Sequence, residues 1–517
     1  MLPEFKNQAY TDFSVPETKA AMEKELARAE ANFGREYDLY IGGKWIKAEE
    51  TFESRNPSNK DEIIGVFQKA SPKEVDQAIA AGLEAFEWWK RVPAKERAAV
   101  LLRASQIMQR RRLEIDAWMV LEEGKNWLEA DADVAEAIDF LEFYAREMLR
   151  YAQPQPVTPV PGEFPELVYL PLGVGAVIPP WNFPMAILTG MTSAAIVTGN
   201  TVLLKPASDA PKMGHLFTEI MIEAGLPAGV LNFVTGGGAS IGDYIVKHPK
   251  IRFISFTGSK DVGLRINELA AKHQEGQIWI KRVVAEMGGK DAIVIDEDTD
   301  LDKAAAAVVA SAYGFQGQKC SAASRVIVHQ AVYDQFVDLL VAKTKQIKVG
   351  PVKDPNHYMG PVINQAALEK VLYYIELGKK EGKLVFGGKK MEGNGFYVQP
   401  TIIKDVPPNA RLAQEEVFGP VLAVMKAKDF DDAIAIANGT EYGLTGAVWS
   451  RNRDRILKAK QEFHVGNLYI NRKCTGALVG GHPFGGFNMS GTDSKAGGRD
   501  YLLLFLQAKS VSEKLDY

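Results

Sequence analysis

Two cysteines in 517 residues, Cys320 and Cys474, are too few for a disulfide framework, and neither stands in a CxxC pair. That usage fits a reducing cytosol. An excess of one charge is missing too. Lys and Arg total 61 against 65 Asp and Glu, a net −4, which gives no electrostatic ground for a nucleic acid or an anionic membrane as partner. The seven histidines form no paired metal-ligand spacing and no HExxH, so no metal is expected and a Cys–His hydrolase has no signature. MLPEFKNQAY has no basic stretch followed by an apolar run. No secretory leader is read there, and a cytoplasmic protein is expected. Internal repeats and low-complexity segments are likewise absent.

One stretch, residues 167–204, lacks charge altogether and is long enough to cross a bilayer. Pro171, Pro179, Pro180, Pro184, Asn182 and Asn200 interrupt it. It reads as a buried strand–helix–strand unit instead.

What is present is a chain too long for one core, so two or three domains are expected. Amphipathic helices are predicted over 18–33 and 72–90, with a longer helical region from about 94 to 150. From 173 onward apolar strands alternate with helices. GVGAVIPP, TVLLKP, VLNFVTG and IRFISFTG read as strands, with helices near 183–198, 210–224, 239–247 and 259–272. A second series follows: DAIVID (291–296), a helix near 300–314, RVIVH (325–329), a helix near 331–346, then TGAVWS (445–450) and GNLYIN (466–471). This rhythm predicts an α/β protein with two doubly wound, open parallel sheets covered by helices. Two outlying stretches, 151–171 and 503–517, hold strand-like runs that need each other or another subunit, so at least a dimer is expected.

The chemistry-bearing residues leave alternatives open when taken singly. GVGAVI ends in Ile178 and fails the dinucleotide fingerprint. In FTGSKDVG (256–263), Gly258 and Gly263 lie where a strand meets a helix, a place whose backbone N–H groups can receive a phosphate. Ser259 could equally be a helix cap. Lys205 ends a strand at the edge where ligands bind in open α/β sheets, or is simply solvated. Glu286, after an apolar run, could be a general base with a raised pKa or a buried acid satisfied by backbone donors. Glu416 in QEEVFGPV poses the same choice. Asn182 could donate to an oxyanion or cap a helix starting at Phe183. Cys320 sits in GFQGQKCSAASR, with little apolar cover, as a reactive, partly accessible thiol requires. The alternative is a small buried hydrophobe.

Together these pieces resemble the aldehyde dehydrogenase superfamily over essentially the whole chain. PWNFP (180–184), KPAS (205–208), FTGSKDVG, EMGGK (286–290), GQKCSAASR (317–325), EEVFGPV (415–421) and PFGG (483–486) occur in family order, with 34 positions from Glu286 to Cys320. The resemblance implies that Cys320, as thiolate, attacks an aldehyde carbonyl, that Asn182 and the Cys320 N–H hold the oxyanion, and that Glu286 activates water to hydrolyse the thioester. It implies NAD as cofactor, with Lys205 and Glu416 on the riboses, Ser259 on the pyrophosphate, and Phe418 and Trp181 nearby. Ser208 stands where many NAD-preferring relatives carry Glu, which would leave room for NADP. It further implies a cofactor domain over 1–150 and 172–285, a catalytic domain over 286–490, and oligomerisation strands at 151–171 and 491–517.

CTGALVGGHPFGG (474–486) and FNMSGTDSKAGGRDYL (487–502) are similar to the branch that acts on L-glutamate γ-semialdehyde. For that substrate, Ser321, Gly476 and Ala477 would hold the α-carboxylate. Phe183 and Phe484 would sandwich the aliphatic part, and Glu136 would face the α-ammonium. Succinic semialdehyde as the substrate, or transfer of the acyl group to CoA, are the alternatives.

Overall fold

The computed structural model describes residues 2–515. Its frame is two seven-stranded sheets, each mostly parallel and covered by helices on both faces. In the first, the strands run in the order Arg282–Glu286, Phe253–Thr257, Val174–Ile178, Thr201–Leu204, Leu231–Phe233, Leu39–Ile41, Lys44–Ile46, the last two antiparallel. Val174–Ile178 is the first strand of the parallel run but lies between the fourth and the second. The winding direction therefore reverses beside it. A crevice opens at such a switch point, outside the carboxyl ends of the strands. The second sheet runs Lys383–Phe386, Thr401–Lys404, Val421–Ala427, Arg325–His329, Ala292–Ile295, Thr445–Trp449, Asn467–Ile470.

The strand residues are β-branched and buried on both faces, as covered parallel strands require. Gly175 is forced by packing: a Cβ there would lie 1.9 Å from the Phe253 ring on the neighbouring strand. The charge-free stretch resolves into strand Val174–Ile178, buried helix Ala186–Val197 and strand Thr201–Leu204. Among the described residues no helix is long and apolar enough to cross a membrane.

Several elements differ from the sequence expectation. The helical region 94–150 is three helices, Ala94–Arg110, Arg112–Glu122 and Trp127–Tyr151. Gly124 breaks the last two in a left-handed conformation (φ 68°), packed so that a Cβ would touch Pro361 at 2.9 Å. The helix expected from Phe183 begins at Ala186, because the Asp133 carboxylate accepts the Ala186 N–H from outside the segment. Region 239–247 is a short π turn followed by Asp243–Lys247. The outlying strands, by contrast, pair with each other as expected: Glu163–Pro171 and Leu506–Lys514 form a nine-residue antiparallel ladder.

Candidate active site

The carboxyl edge of the first sheet faces the amino edge of the second. Asn182 follows Val174–Ile178, Lys205 follows Thr201–Leu204, and Glu286 ends its strand. From the opposite side, Cys320 precedes Arg325–His329 and Glu416 precedes Val421–Ala427. One bond spans the gap directly: Asn182 Nδ2 donates to the Gln318 carbonyl at 3.0 Å.

The nucleophile loop is buried rather than loosely covered, which corrects the sequence expectation: Gly314 to Gln318 have almost no exposure, while Cys320 itself is partly accessible. Phe315 (φ 48°), Gln316 (φ 57°) and Gly317 (φ 68°) are all left-handed. For non-glycine residues such backbone costs about 1–3 kcal/mol each and persists only when surroundings over-determine it. They do so here. Gln316 Nε2 donates to the Gly124 and Pro361 carbonyls at 2.9 and 2.7 Å. Gln318 Oε1 accepts the Ile363 N–H at 2.9 Å. A Cβ on Gly317 would sit 2.5 Å from the Gly419 carbonyl oxygen. The buried Lys125 ammonium lies 4.7 Å from the Phe315 ring and 4.1 Å from that of Phe183, paired with Asp133 at 2.5 Å.

The Cys320 thiol is surrounded by acidic neighbours. Desolvation pushes its pKa up, and Asp291, Glu416 and Glu286 add to it. Burial also pushes the Asp291 carboxyl well above its ordinary range. Glu286 is pushed up to about 7 by burial, opposed by hydrogen bonds from Ser494 and Gly486. A carboxylate poised near neutrality in a crevice is suited to taking a proton from a thiol or a water.

The helix-capping reading of Asn182 does not hold, since the cap position of the following helix is Met185. With one Nδ2 hydrogen on Gln318, the second is left for a ligand beside Cys320.

At the crevice, Lys205 is buried and its pKa falls to about 8 by desolvation; among the described residues its ammonium donates only to the Pro206 carbonyl, at 3.3 Å. Ser208 donates to the Gly236 carbonyl at 3.2 Å. Ser259 occupies the cap position of Lys260–Ala271, but its hydroxyl caps nothing. Glu416 is half-buried, accepts the Gly289 N–H at 3.0 Å, and would be 2.3 Å from a Cβ on Gly288. Phe418, left-handed at φ 59°, meets Trp181 edge-on at 5.6 Å. An ammonium without an anionic partner, an uncapped helix start and a carboxylate fit a ligand with riboses and a pyrophosphate. Gly258 and Gly263 need correcting as phosphate donors. The Gly258 N–H serves the Glu286 carbonyl and the Gly263 N–H serves Ser259. A Cβ on Gly263 would meet Met287 Sδ at 2.4 Å, so this glycine lets the helix approach the sheet.

Beyond Cys320 lies a cationic end. Lys319 is paired with Glu129 at 2.5 Å, and the pKa of Lys473 is lowered by burial and by Lys319. Gly476 is exposed and left-handed (φ 78°) beside Ala477. Arg472 ties this loop through the Thr475 and Gly476 carbonyls at 2.8 and 3.0 Å. The Ser321 carbonyl accepts from Cys474 Sγ at 3.3 Å. Phe183 and Phe484 are half-buried and have no ring contact with each other among the described residues. Glu136 is pushed up to about 8 by burial and by Asp133.

Sequence reasoning missed Ser494, Lys125, Gln316 and the Lys319–Glu129 pair. The last was within reach, because Lys319 adjoins the nucleophile; the others act across long sequence separations. A cavity of about 490 Å³ lined by Tyr37, Trp45, Trp118 and Lys212 includes none of the residues above. Among the described residues no cluster of His, Cys, Asp or Glu could hold a metal ion.

A half-accessible cysteine on a strained loop, facing a poised carboxylate and an amide donor between two doubly wound sheets, defines an oxidoreductase of one class: the chain belongs to the aldehyde dehydrogenase family, whose model matches residues 45–511. More narrowly, it is 57% identical over 513 residues to the 1-pyrroline-5-carboxylate dehydrogenase of Geobacillus sp. (strain WCH70), covering 99% of this chain and all of that one. It is 56% identical, with the same coverage, to the enzyme so named in Anoxybacillus flavithermus. The crystal structure of 1-pyrroline-5-carboxylate dehydrogenase from Thermus with bound NAD superimposes with a TM-score of 0.98, at 52% identity and 99% coverage of both chains.

Proposed function

We propose that this chain oxidises L-glutamate γ-semialdehyde, the open form of 1-pyrroline-5-carboxylate, to L-glutamate with NAD. The observation that carries the substrate is the cationic, amide-bearing end of the site, where Gly476, followed by Ala477, sits beside Lys473 and Arg472. An α-carboxylate docks there, on backbone N–H groups and the Ser321 hydroxyl. Glu136 takes the α-ammonium, which draws its buried carboxyl into the charged form.

Cys320 loses its proton to water and its sulfur adds to the aldehyde carbon. The new oxyanion takes N–H donors from Asn182 and the Cys320 backbone; losing one such donor typically costs about 10²–10³ in kcat. Lys205, Ser259 and Glu416 would hold NAD, which would accept the hydride lost by the tetrahedral carbon and so leave a thioester on Cys320. Glu286 then takes a proton from the water that attacks the thioester. The C–S bond breaks, the carboxylate product leaves and the thiol regains its proton. A base in that position works against a CoA-acylating enzyme, since it would spend the acyl group on water. Because Ser208 puts no carboxylate beside Lys205, NADP meets no charge repulsion from this residue.

The test is NAD(P)H formation from 1-pyrroline-5-carboxylate and from succinic semialdehyde, with each cofactor. The first aldehyde is expected to give the higher kcat/KM, with NAD preferred. A preference for succinic semialdehyde, which lacks the α-ammonium, would overturn the substrate.

The paired strands Glu163–Pro171 and Leu506–Lys514 carry exposed Phe164, Val168 and Leu170. This two-stranded arm is too thin to stand alone in water and binds a second copy of the chain. Sedimentation is expected to give a dimer or a multiple of it, and a monomer at micromolar concentration would contradict the arm's role. Both cysteines are free thiols, in keeping with a cytoplasmic enzyme.

A further inference from the structure

Resting on the reading of Glu286 as the base, we propose that Ser494 is its positioning residue, clamping the carboxylate on one side of the site through paired side-chain and backbone donors. The Ser494 hydroxyl donates to Glu286 Oε1 at 2.6 Å and its N–H reaches the same oxygen at 3.2 Å, while the Gly486 N–H takes Oε2 at 3.0 Å. Both oxygens are therefore held by one loop. That loop is stitched to the strand on either side of Glu286: the Met287 N–H donates to Ser490 at 2.7 Å, and the Thr492 N–H donates to Ala285 at 2.8 Å. The collar around the carboxylate is glycine by necessity, since a Cβ on Gly491 would lie 2.9 Å from Oε2 and one on Gly485 3.1 Å from Oε1.

Lys495 is the nearest cation, yet its ammonium is spent on the Gly466 and Gly485 carbonyls at 2.8 Å and on Asp493 at 3.0 Å. Among the described residues, the Ser494 hydroxyl is thus the only side-chain donor hydrogen-bonded to the base. The other titratable groups facing Glu286 are Cys320 and Tyr501, neither of them cationic. Burial drives the carboxyl up and these three donors draw it back. Removing the hydroxyl removes a charge-assisted hydrogen bond, so the midpoint rises by about one pH unit.

Hydrolysis of p-nitrophenyl acetate isolates this step without cofactor. The Cys320 sulfur displaces p-nitrophenol in a burst, then water activated by Glu286 cleaves the C–S bond and releases acetate. No electrons are exchanged with an outside acceptor. For Ser494→Ala, the steady-state rate, normalised to burst amplitude so that only folded sites count, is expected to show its pH midpoint raised by about one unit. The loss should be about tenfold below the midpoint and vanish above it, with Ser494→Thr restoring the original profile. An unmoved midpoint with a uniform loss, or no rescue by Thr, overturns the role of Ser494. Glu286→Gln separates the two failures: if that variant keeps its steady state, the base reading itself is wrong, and if it loses it while Ser494→Ala leaves the midpoint unmoved, only the Ser494 assignment falls.

Discussion

Replacing Cys320 with alanine is expected to lower NADH formation by at least about ten-thousandfold, because no other nucleophile reaches the aldehyde carbon and the remaining groups act only through it. Cys474, the other thiol, is fully buried and bonded to the Ser321 carbonyl, so it offers no substitute. NAD binding, followed by fluorescence or calorimetry, should survive, since Lys205, Ser259 and Glu416 stand on other segments. Trimming one sulfur from a partly accessible side chain costs little packing, so loss of activity with intact cofactor binding separates chemistry from folding. Retained turnover would refute the mechanism.

Glu286→Gln has the second-largest expected effect, and of a different kind. Removing a general base costs about 10²–10⁴ in the step it serves. Hydride removal precedes that step, so the variant should form about one NADH per active site in a burst and then stall with the acyl group on sulfur. In the native chain the hydrolytic step should gain rate as pH rises through about 7, the value to which burial lifts Glu286. The sign follows from the role: the carboxylate is the working form, and it prevails above its pKa. A rate limited by hydrolysis that fell with rising pH across that range would contradict the assignment.

Much of this site was legible because its parts lie at strand ends, where apolar runs stop and single polar residues stand out. Lys205, Glu286 and Asn182 are of that kind, and FTGSKDVG marks a strand-to-helix start. What stayed hidden depends on residues far apart in sequence. The cover over Gly314–Gln318 comes from Gly124, Pro361, Ile363 and Gly419, so a stretch that reads as polar is buried. The raised Cys320 pKa arises the same way, from burial and from Asp291, Glu416 and Glu286 folding close to it. Ser494 reaches Glu286 across 208 positions, and nothing local in TDSK announces it. In the fold, the long apolar strands were readable, whereas Leu39–Ile41 and Lys44–Ile46 are too short to leave an alternation. The break between Ala94–Arg110 and Arg112–Glu122 falls at Arg111, with neither proline nor glycine to mark it.

The central claim is that Cys320 carries the acyl group of this semialdehyde. Mass spectrometry of the Glu286→Gln variant, quenched in acid after mixing with 1-pyrroline-5-carboxylate and NAD, tests it directly. The account predicts a γ-glutamyl group on the peptide containing Cys320 and none on the peptide containing Cys474. An unmodified Cys320 peptide after a full NADH burst, or an acyl group on another residue, would contradict it.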